Sequence, residues 1–211
     1  MPHENLPRTW LQMARRDIAS VVIHWTKTRP ATDRFIPMAP PGRDASMILD
    51  DIVKNSCLLG NVGFIKGNQK CVCFTETPLA EMVSIFASAA LIGKATTLRY
   101  EPFGVGVPKE WLFQKGGRPV IYQPGDDYDR LPDDFRWRHC KYEPPSVDFT
   151  WEREWRIQAD KLCLELAHTW IFLPTAEMAA DFAERHPLWR FVPLELFGLP
   201  NLGDPANRNE A

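Results

Sequence analysis

Apolar positions along this chain fall into two kinds of run, short β-branched stretches and longer ones with helical spacing, and the two follow each other irregularly. Ile18 to Trp25 (IASVVIHW) is rich in β-branched residues and predicts a strand ending at His24-Trp25-Thr26. A proline-rich loop, Arg29 to Gly42, follows it. Asp44 has the character of a helix N-cap. Met47, Ile48, Ile52 and Val53 recur at helical spacing and Gly60 lies beyond the end, so a helix of about three turns is expected. Gly63 to Gln69 reads as a turn-like break, and Cys71 to Thr75 (CVCFT) as a short apolar strand. Thr77-Pro78 then offers an N-cap and a first-turn proline for a helix running to about Leu91.

Further on, Phe103 to Val107 predicts a strand, Pro108 opens a short helix KEWLFQK, and Gly116-Gly117 closes it. Arg118 to Gln123 (RPVIYQ) reads as another strand. Pro124 to Val147 is a long polar run, of a length that in a compact domain is usually functional or mobile. Trp151 to Ile157 predicts a strand, followed by Cys163 to Leu166, a strand Thr169 to Leu173, a helix from Thr175 to Arg185 and a last strand near Trp189 to Leu194. The sequence carries neither a βαβ repeat nor a glycine-rich phosphate fingerprint, which disfavours a doubly wound nucleotide fold. The expected architecture is α+β, one domain over residues 1–199 with a mixed, mostly antiparallel sheet and flanking helices, and a disordered tail over 200–211.

Composition narrows the picture without changing it. A chain of 211 residues, 45% hydrophobic and 25% charged, can bury one substantial core and excludes disordered and coiled-coil classes. Its net charge of −2 is not the footprint of a dedicated nucleic-acid binder, so a nucleic-acid partner would need a local patch. The longest apolar run, Met82 to Ile92, is too short to span a bilayer and the N-terminus lacks a signal-peptide pattern, so a cytoplasmic protein without membrane contact is expected. Five scattered cysteines, Cys57, Cys71, Cys73, Cys140 and Cys163, fit reduced thiols. The Cys71-x-Cys73 spacing is not that of a zinc site, and no metal is expected.

The chemistry concentrates in Trp151-Glu152-Arg153-Glu154-Trp155-Arg156-Ile157. On a strand, Glu152, Glu154 and Arg156 share one face, which places two carboxylates together. Such a pair is unfavourable unless a cation or a hydroxyl-bearing ligand compensates it; the plain alternative is a solvated ion-pair ladder on an exposed face.

Three pieces in order, His24-Trp25-Thr26, Phe74-Thr75-Glu76 and Glu152-x-Glu154, resemble the ADP-ribosyltransferase superfamily, in which a His or Arg, a Ser/Thr/Tyr motif and a late Glu on core strands surround NAD. Four blocks, Cys73-Phe74-Thr75-Glu76, Tyr100-Glu101-Pro102-Phe103-Gly104-Val105, KEWLFQKGGRPVIYQ and WEREWRI, resemble the bacterial abortive phage-resistance family of AbiGi type. The resemblances imply a phage-defence role, a cognate partner protein as in a toxin–antitoxin pair, an ADP-ribosyltransferase-like split sheet, and NAD as substrate. They also imply roles: Glu154 stabilises the charge that develops on the ribose, Glu152 activates the acceptor, and His24 bonds a ribose hydroxyl. Thr26, Phe74, Thr75 and Tyr122 would form the NAD side of the site, Phe74 or Tyr122 by stacking on nicotinamide and Thr75 by positioning either the ribose or the catalytic glutamate. Two features depart from the superfamily: no Ser-Thr-Ser stands beside Thr75, and Trp25 occupies the place of a glycine.

Two rival readings remain open at this stage. Asp126, Asp127, Asp129 and Asp148 with the two glutamates suggest a metal-dependent nuclease, but Arg156 and Ile157 stand where the restriction-type motif has a lysine. The cluster Arg136, Trp137, Arg138 to Lys141 suggests instead a non-catalytic module that binds nucleic acid or protein, or the surface on which a transferase docks its acceptor.

Overall fold

β-branched and aromatic runs supply the central strands, and the amphipathic runs cover them on both faces. The computed structural model describes residues 17–28, 42–63, 65–92 and 100–200. Its strands are β1 (Val21–Trp25), β2 (Cys57–Leu59), β3 (Cys71–Thr75), β4 (Gly104–Pro108), β5 (Arg118–Pro119), β6 (Ile121–Gln123), β7 (His139–Lys141), β8 (Glu154–Gln158), β9 (Lys161–Cys163), β10 (Trp170–Leu173) and β11 (Phe191–Pro193). Its α-helices are α1 (Ala45–Asn55), α2 (Leu79–Leu91), α3 (Lys109–Gln114) and α4 (Ala176–Arg185). Seven strands form the main sheet in the order β11-β10-β4-β1-β3-β8-β5, with two-stranded ribbons β2-β9 and β6-β7 beside it. All pairings in the main sheet are antiparallel except β10 with β11. This is the single α+β domain, with its mostly antiparallel sheet and flanking helices, that the pattern of runs predicts. Most of the proline-rich loop 29–42 and the tail beyond residue 200 lie outside the described residues.

One face of the sheet packs α1, α3 and α4, through Leu49, Val53, Leu112 and Phe182, onto Val22, Val72, Val105, Ile157 and Leu173. The other packs α2, through Met82, Val83 and Phe86, onto Ile23, Trp25 and Phe172. The Gly104-Val105-Gly106-Val107 alternation of β4 serves both layers. A Cβ on Gly104 would sit 2.6 Å from the Trp25 ring, and one on Gly106 2.6 Å from the Phe172 ring, so the glycines leave room for the two aromatics while the valines fill the opposite face. No helix of the described residues is long and apolar enough to cross a membrane.

Local chemistry sets the boundaries. Asp44 Oδ1 accepts from the Met47 N–H at 2.7 Å and caps α1, which ends early at Ser56 in the left-handed region (φ 51°) so that β2 can form. Thr175 Oγ1 caps α4 by accepting from the Met178 N–H at 3.2 Å. The expected strand 118–123 divides at Val120: Pro119, lacking an N–H, sits on the edge strand against β8, while β6 turns away to pair with β7. The long polar run is ordered by two 3-10 segments, Gly125–Arg130 and Asp133–Arg138, before β7.

Candidate functional site

The segment Trp151–Ile157 does not alternate throughout. Thr150–Glu152 is a 3-10 turn, Arg153 is left-handed (φ 45°), and β8 begins only at Glu154. The cause lies in the Thr75-Glu76-Thr77 segment at the end of β3. Thr75 Oγ1 donates to the Glu152 carbonyl, Thr77 Oγ1 donates to the Trp151 carbonyl at 2.5 Å, and the Glu76 N–H is shared between the Glu152 and Arg153 carbonyls at 3.2 and 3.3 Å. With those carbonyls satisfied at the end of β3, Glu152 is rotated inward to 2% exposure. The two carboxylates therefore share one cavity, reached through a turn and a left-handed residue rather than through strand alternation.

That cavity has a volume of about 720 Å³, within the range of small-molecule sites. His24, Glu152 and Glu154 all line it, together with Tyr100, Phe149 and Arg156. The strands that carry the three expected pieces are neighbours: β1 pairs with β3 (Ile23 opposite Thr75), and β3 with β8 (Thr75 opposite Glu154).

Glu154 is held by a two-pronged ion pair. Arg156 Nε donates to Oε1 at 2.8 Å and Nη2 to Oε2 at 3.0 Å, while Nη1 bonds the carbonyls of Trp137 at 3.0 Å and His139 at 2.8 Å. Both side chains are nearly dry, at 5% exposure for Arg156 and 12% for Glu154. Burial alone would lower the Arg156 pKa, but the facing carboxylate overrides it and holds the guanidinium firmly charged. A carboxylate offers about four lone-pair positions; Arg156 uses two, and the Cys73 and Cys140 thiols, weak donors, also bond to Glu154, so a ligand hydroxyl would compete with the thiols rather than with the guanidinium. Tyr122 braces the same residue from outside the cavity: its hydroxyl accepts from the Glu154 N–H at 3.0 Å and donates to the Phe149 carbonyl at 3.2 Å. Burial pushes the Cys140 thiol up to about 12 and Cys71 to about 11, and the charge of Glu154 adds to both, so neither is a ready nucleophile.

Glu152 accepts a 2.8 Å hydrogen bond from the Tyr100 hydroxyl at Oε2. Burial, and after it the charge of Glu152, push the Tyr100 pKa far up, which makes the phenol a permanent donor. His24 Nδ1 lies 2.8 Å from the Cys73 carbonyl. A carbonyl only accepts, so Nδ1 carries a proton.

The four residues expected on the NAD side of the site do not line the cavity, each for a physical reason. Thr26 is 3% exposed, its hydroxyl spent on the carbonyls of Ala45 at 3.2 Å and Phe103 at 3.1 Å, tying β1 to α1 and β4. Phe74, at 2% exposure, belongs to the hydrophobic core. Thr75 and Tyr122 position the two glutamates through backbone bonds. In the polar cluster, Trp137 is buried with its indole N–H on the Asp134 carbonyl at 2.8 Å, so it offers no face for stacking. Arg136 is bound to the Leu131 and Asp129 carbonyls and paired with Asp133. Among the described residues no group of three or more His, Cys, Asp or Glu is arranged to hold a metal ion. Tyr100 was missed as a site residue; its only signal is an aromatic hydroxyl at the head of the YEPFGV block.

Comparison with known proteins yields one partial likeness. No family model matches the chain, and no solved structure matches it. The chain is 31% identical over 75 residues to a phosphatidylserine decarboxylase proenzyme of Acidovorax ebreus (strain TPSY), a stretch that is 34% of this chain and 26% of that protein. It therefore spans about a quarter of the length of the curated relative it matches.

Proposed function

We propose that the chain is a cytoplasmic abortive-infection protein of phage defence that cleaves NAD and transfers ADP-ribose to a macromolecular acceptor. The observation that carries this reading is the convergence of His24, Glu152 and Glu154 in one cavity, from β1, the 3-10 turn before β8, and β8 itself, with β3 between the two strands.

Breaking the nicotinamide glycosidic bond sends its electron pair to the departing nicotinamide and leaves positive charge on the ribose ring. A carboxylate beside the 2′-hydroxyl stabilises that charge. Glu154 takes this part: the two hydrogen bonds from Arg156 fix its direction, and the carboxylate accepts the hydroxyl. Glu152 takes the proton of the acceptor as the acceptor attacks the ribose carbon, its position set by Tyr100 and by Thr75. Nε2 of His24 accepts from a ribose hydroxyl. Phe149 supplies an aromatic surface at the cavity wall for the nicotinamide ring.

The test is nicotinamide release from NAD by the purified chain, with and without cell extract as acceptor source, comparing wild type with Glu154→Gln and Glu152→Gln. Release lost in Glu154→Gln, with extract-dependent release lost in Glu152→Gln, supports the assignment. Folded wild-type protein that releases no nicotinamide in either condition would remove the enzyme reading and leave a non-catalytic binding module.

A further inference from the structure

β5 is the last strand of the main sheet, and its outer side holds two guanidinium groups without a carboxylate partner among the described residues. Arg118 lies over the Phe113 ring at 4.0 Å from its centroid and Arg138 over Phe135 at 5.6 Å. Each fork is fixed by carbonyls: Arg118 Nη1 donates to Phe113 at 2.9 Å and Gly117 at 2.7 Å, and Arg138 Nε donates to Pro119 at 2.9 Å. Arg118 Nη2 and both terminal nitrogens of Arg138 make no hydrogen bond among the described residues. Burial and then the positive charge of Arg118 push the Arg138 pKa down, so the two cations repel each other. An anion between them removes that repulsion. The two phenyl rings beside them are 49% and 44% exposed and so remain accessible to a ligand.

Planar cations alternating with open aromatic rings match a strand of phosphates and unpaired bases. An acidic peptide would engage only the cations. The surface also adjoins the cavity. Val120, next to Pro119, donates its N–H to the Glu154 carbonyl at 2.9 Å, and His139, next to Arg138, lines the cavity wall.

We propose that Arg118, Arg138, Phe113 and Phe135 form a docking surface for single-stranded nucleic acid, which presents the acceptor to the adjacent cavity. Its role as acceptor site rests on the transferase reading; the binding itself does not.

The experiment is fluorescence anisotropy of labelled single strands of about 20 nucleotides, RNA and DNA, over a salt series and without NAD. Wild type is expected to bind saturably. Arg118→Gln with Arg138→Gln is expected to weaken binding roughly tenfold or more and to make the slope of log affinity against log salt shallower by about 1.4, two single-strand phosphate contacts. Phe113→Ala with Phe135→Ala is expected to weaken binding roughly tenfold or more with the slope kept. The phenyl pair is exposed, so its variant stays folded if the arginine variant does not, and thermal unfolding checks both. No binding by wild type, or both variants binding as wild type, overturns the proposal. Displacement of the strand by polyglutamate of equal charge, with the phenylalanine variant unchanged, also overturns it and assigns the surface to an acidic protein. Because NAD is absent, a failure here leaves NAD cleavage untouched, and failure of NAD cleavage leaves this binding result standing.

Discussion

The Tyr100 hydroxyl and the Glu152 carboxylate meet at 2.8 Å inside the cavity, 52 positions apart in sequence. Tyr100→Phe removes the donor and leaves a buried carboxylate short of one partner. The expected loss of stability is about 1.5–3 kcal/mol, read as a fall in the urea midpoint with unchanged slope. Acceptor-dependent nicotinamide release should fall while release to water is spared. Equal loss of both would show that Tyr100 acts on the fold alone.

Glu154 and Arg156 should behave as one unit. Removing either partner leaves a buried charge, so Glu154→Leu or Arg156→Met alone is expected to cost about 3–5 kcal/mol, whereas the double variant recovers most of that loss. Urea denaturation of the four proteins gives the coupling directly. Additive losses would mean that the pair does not brace β8. The same burial means that the Glu154→Gln variant must be compared at a temperature where its fold is verified.

Thr26→Val keeps the shape of the side chain and removes its two carbonyl contacts. Stability should drop by about 1–3 kcal/mol, while KM for NAD in the folded variant stays at the wild-type value. A raised KM without loss of stability would return Thr26 to the ligand.

Asp50 sits between Arg185 and His186, with His186 Nε2 at 2.9 Å from Oδ1. Burial alone would raise its pKa, but the His186 hydrogen bond and the Arg185 guanidinium outweigh it and the net shift is downward. A carboxylate with a depressed folded pKa stabilises the protein above its unfolded value of about 3.9 and loses that contribution as pH falls through the folded pKa. Thermal midpoints measured from neutral pH down should therefore separate wild type from Asp50→Asn above about pH 4 and converge in more acid solution. Parallel curves down to the lowest pH would show that this carboxylate is not linked to folding.

The sequence exposes elements whose cause is local. The β-branched run of β3, the Asp44 cap of α1 and the Thr175 cap of α4 each need only neighbours in the chain, and each stands where the pattern put it. Thr77 carries the same cap signal before α2, yet its hydroxyl goes to Trp151, 74 positions away, and the helix starts behind Pro78 without a side-chain cap. The split of 118–123 at Val120 and the turn at Thr150–Glu152 have the same origin, partners that only the folded sheet supplies. In the site, charged residues with two carboxylates at fixed spacing were legible. Tyr100 was not, because a tyrosine that serves a glutamate across the fold looks in sequence like any other core aromatic. Thr26, Phe74 and Tyr122 illustrate the converse: their residue types and their place near a motif marked them, while burial of the first two and the bond from the Glu154 N–H to the third put them in support; Thr75 holds the glutamate backbone, one of the two roles its position offered.

The pairing of β3 with β8 also sets a clock on synthesis. Translation delivers β1 and β3 early, but the wall that holds Glu154 and Arg156 exists only after the chain beyond residue 156 has left the ribosome. Until then β3 has an open edge and no carboxylate pair beside it. A nascent or truncated chain that stops short of β8 therefore lacks the cavity wall, and with it whatever the two carboxylates do together.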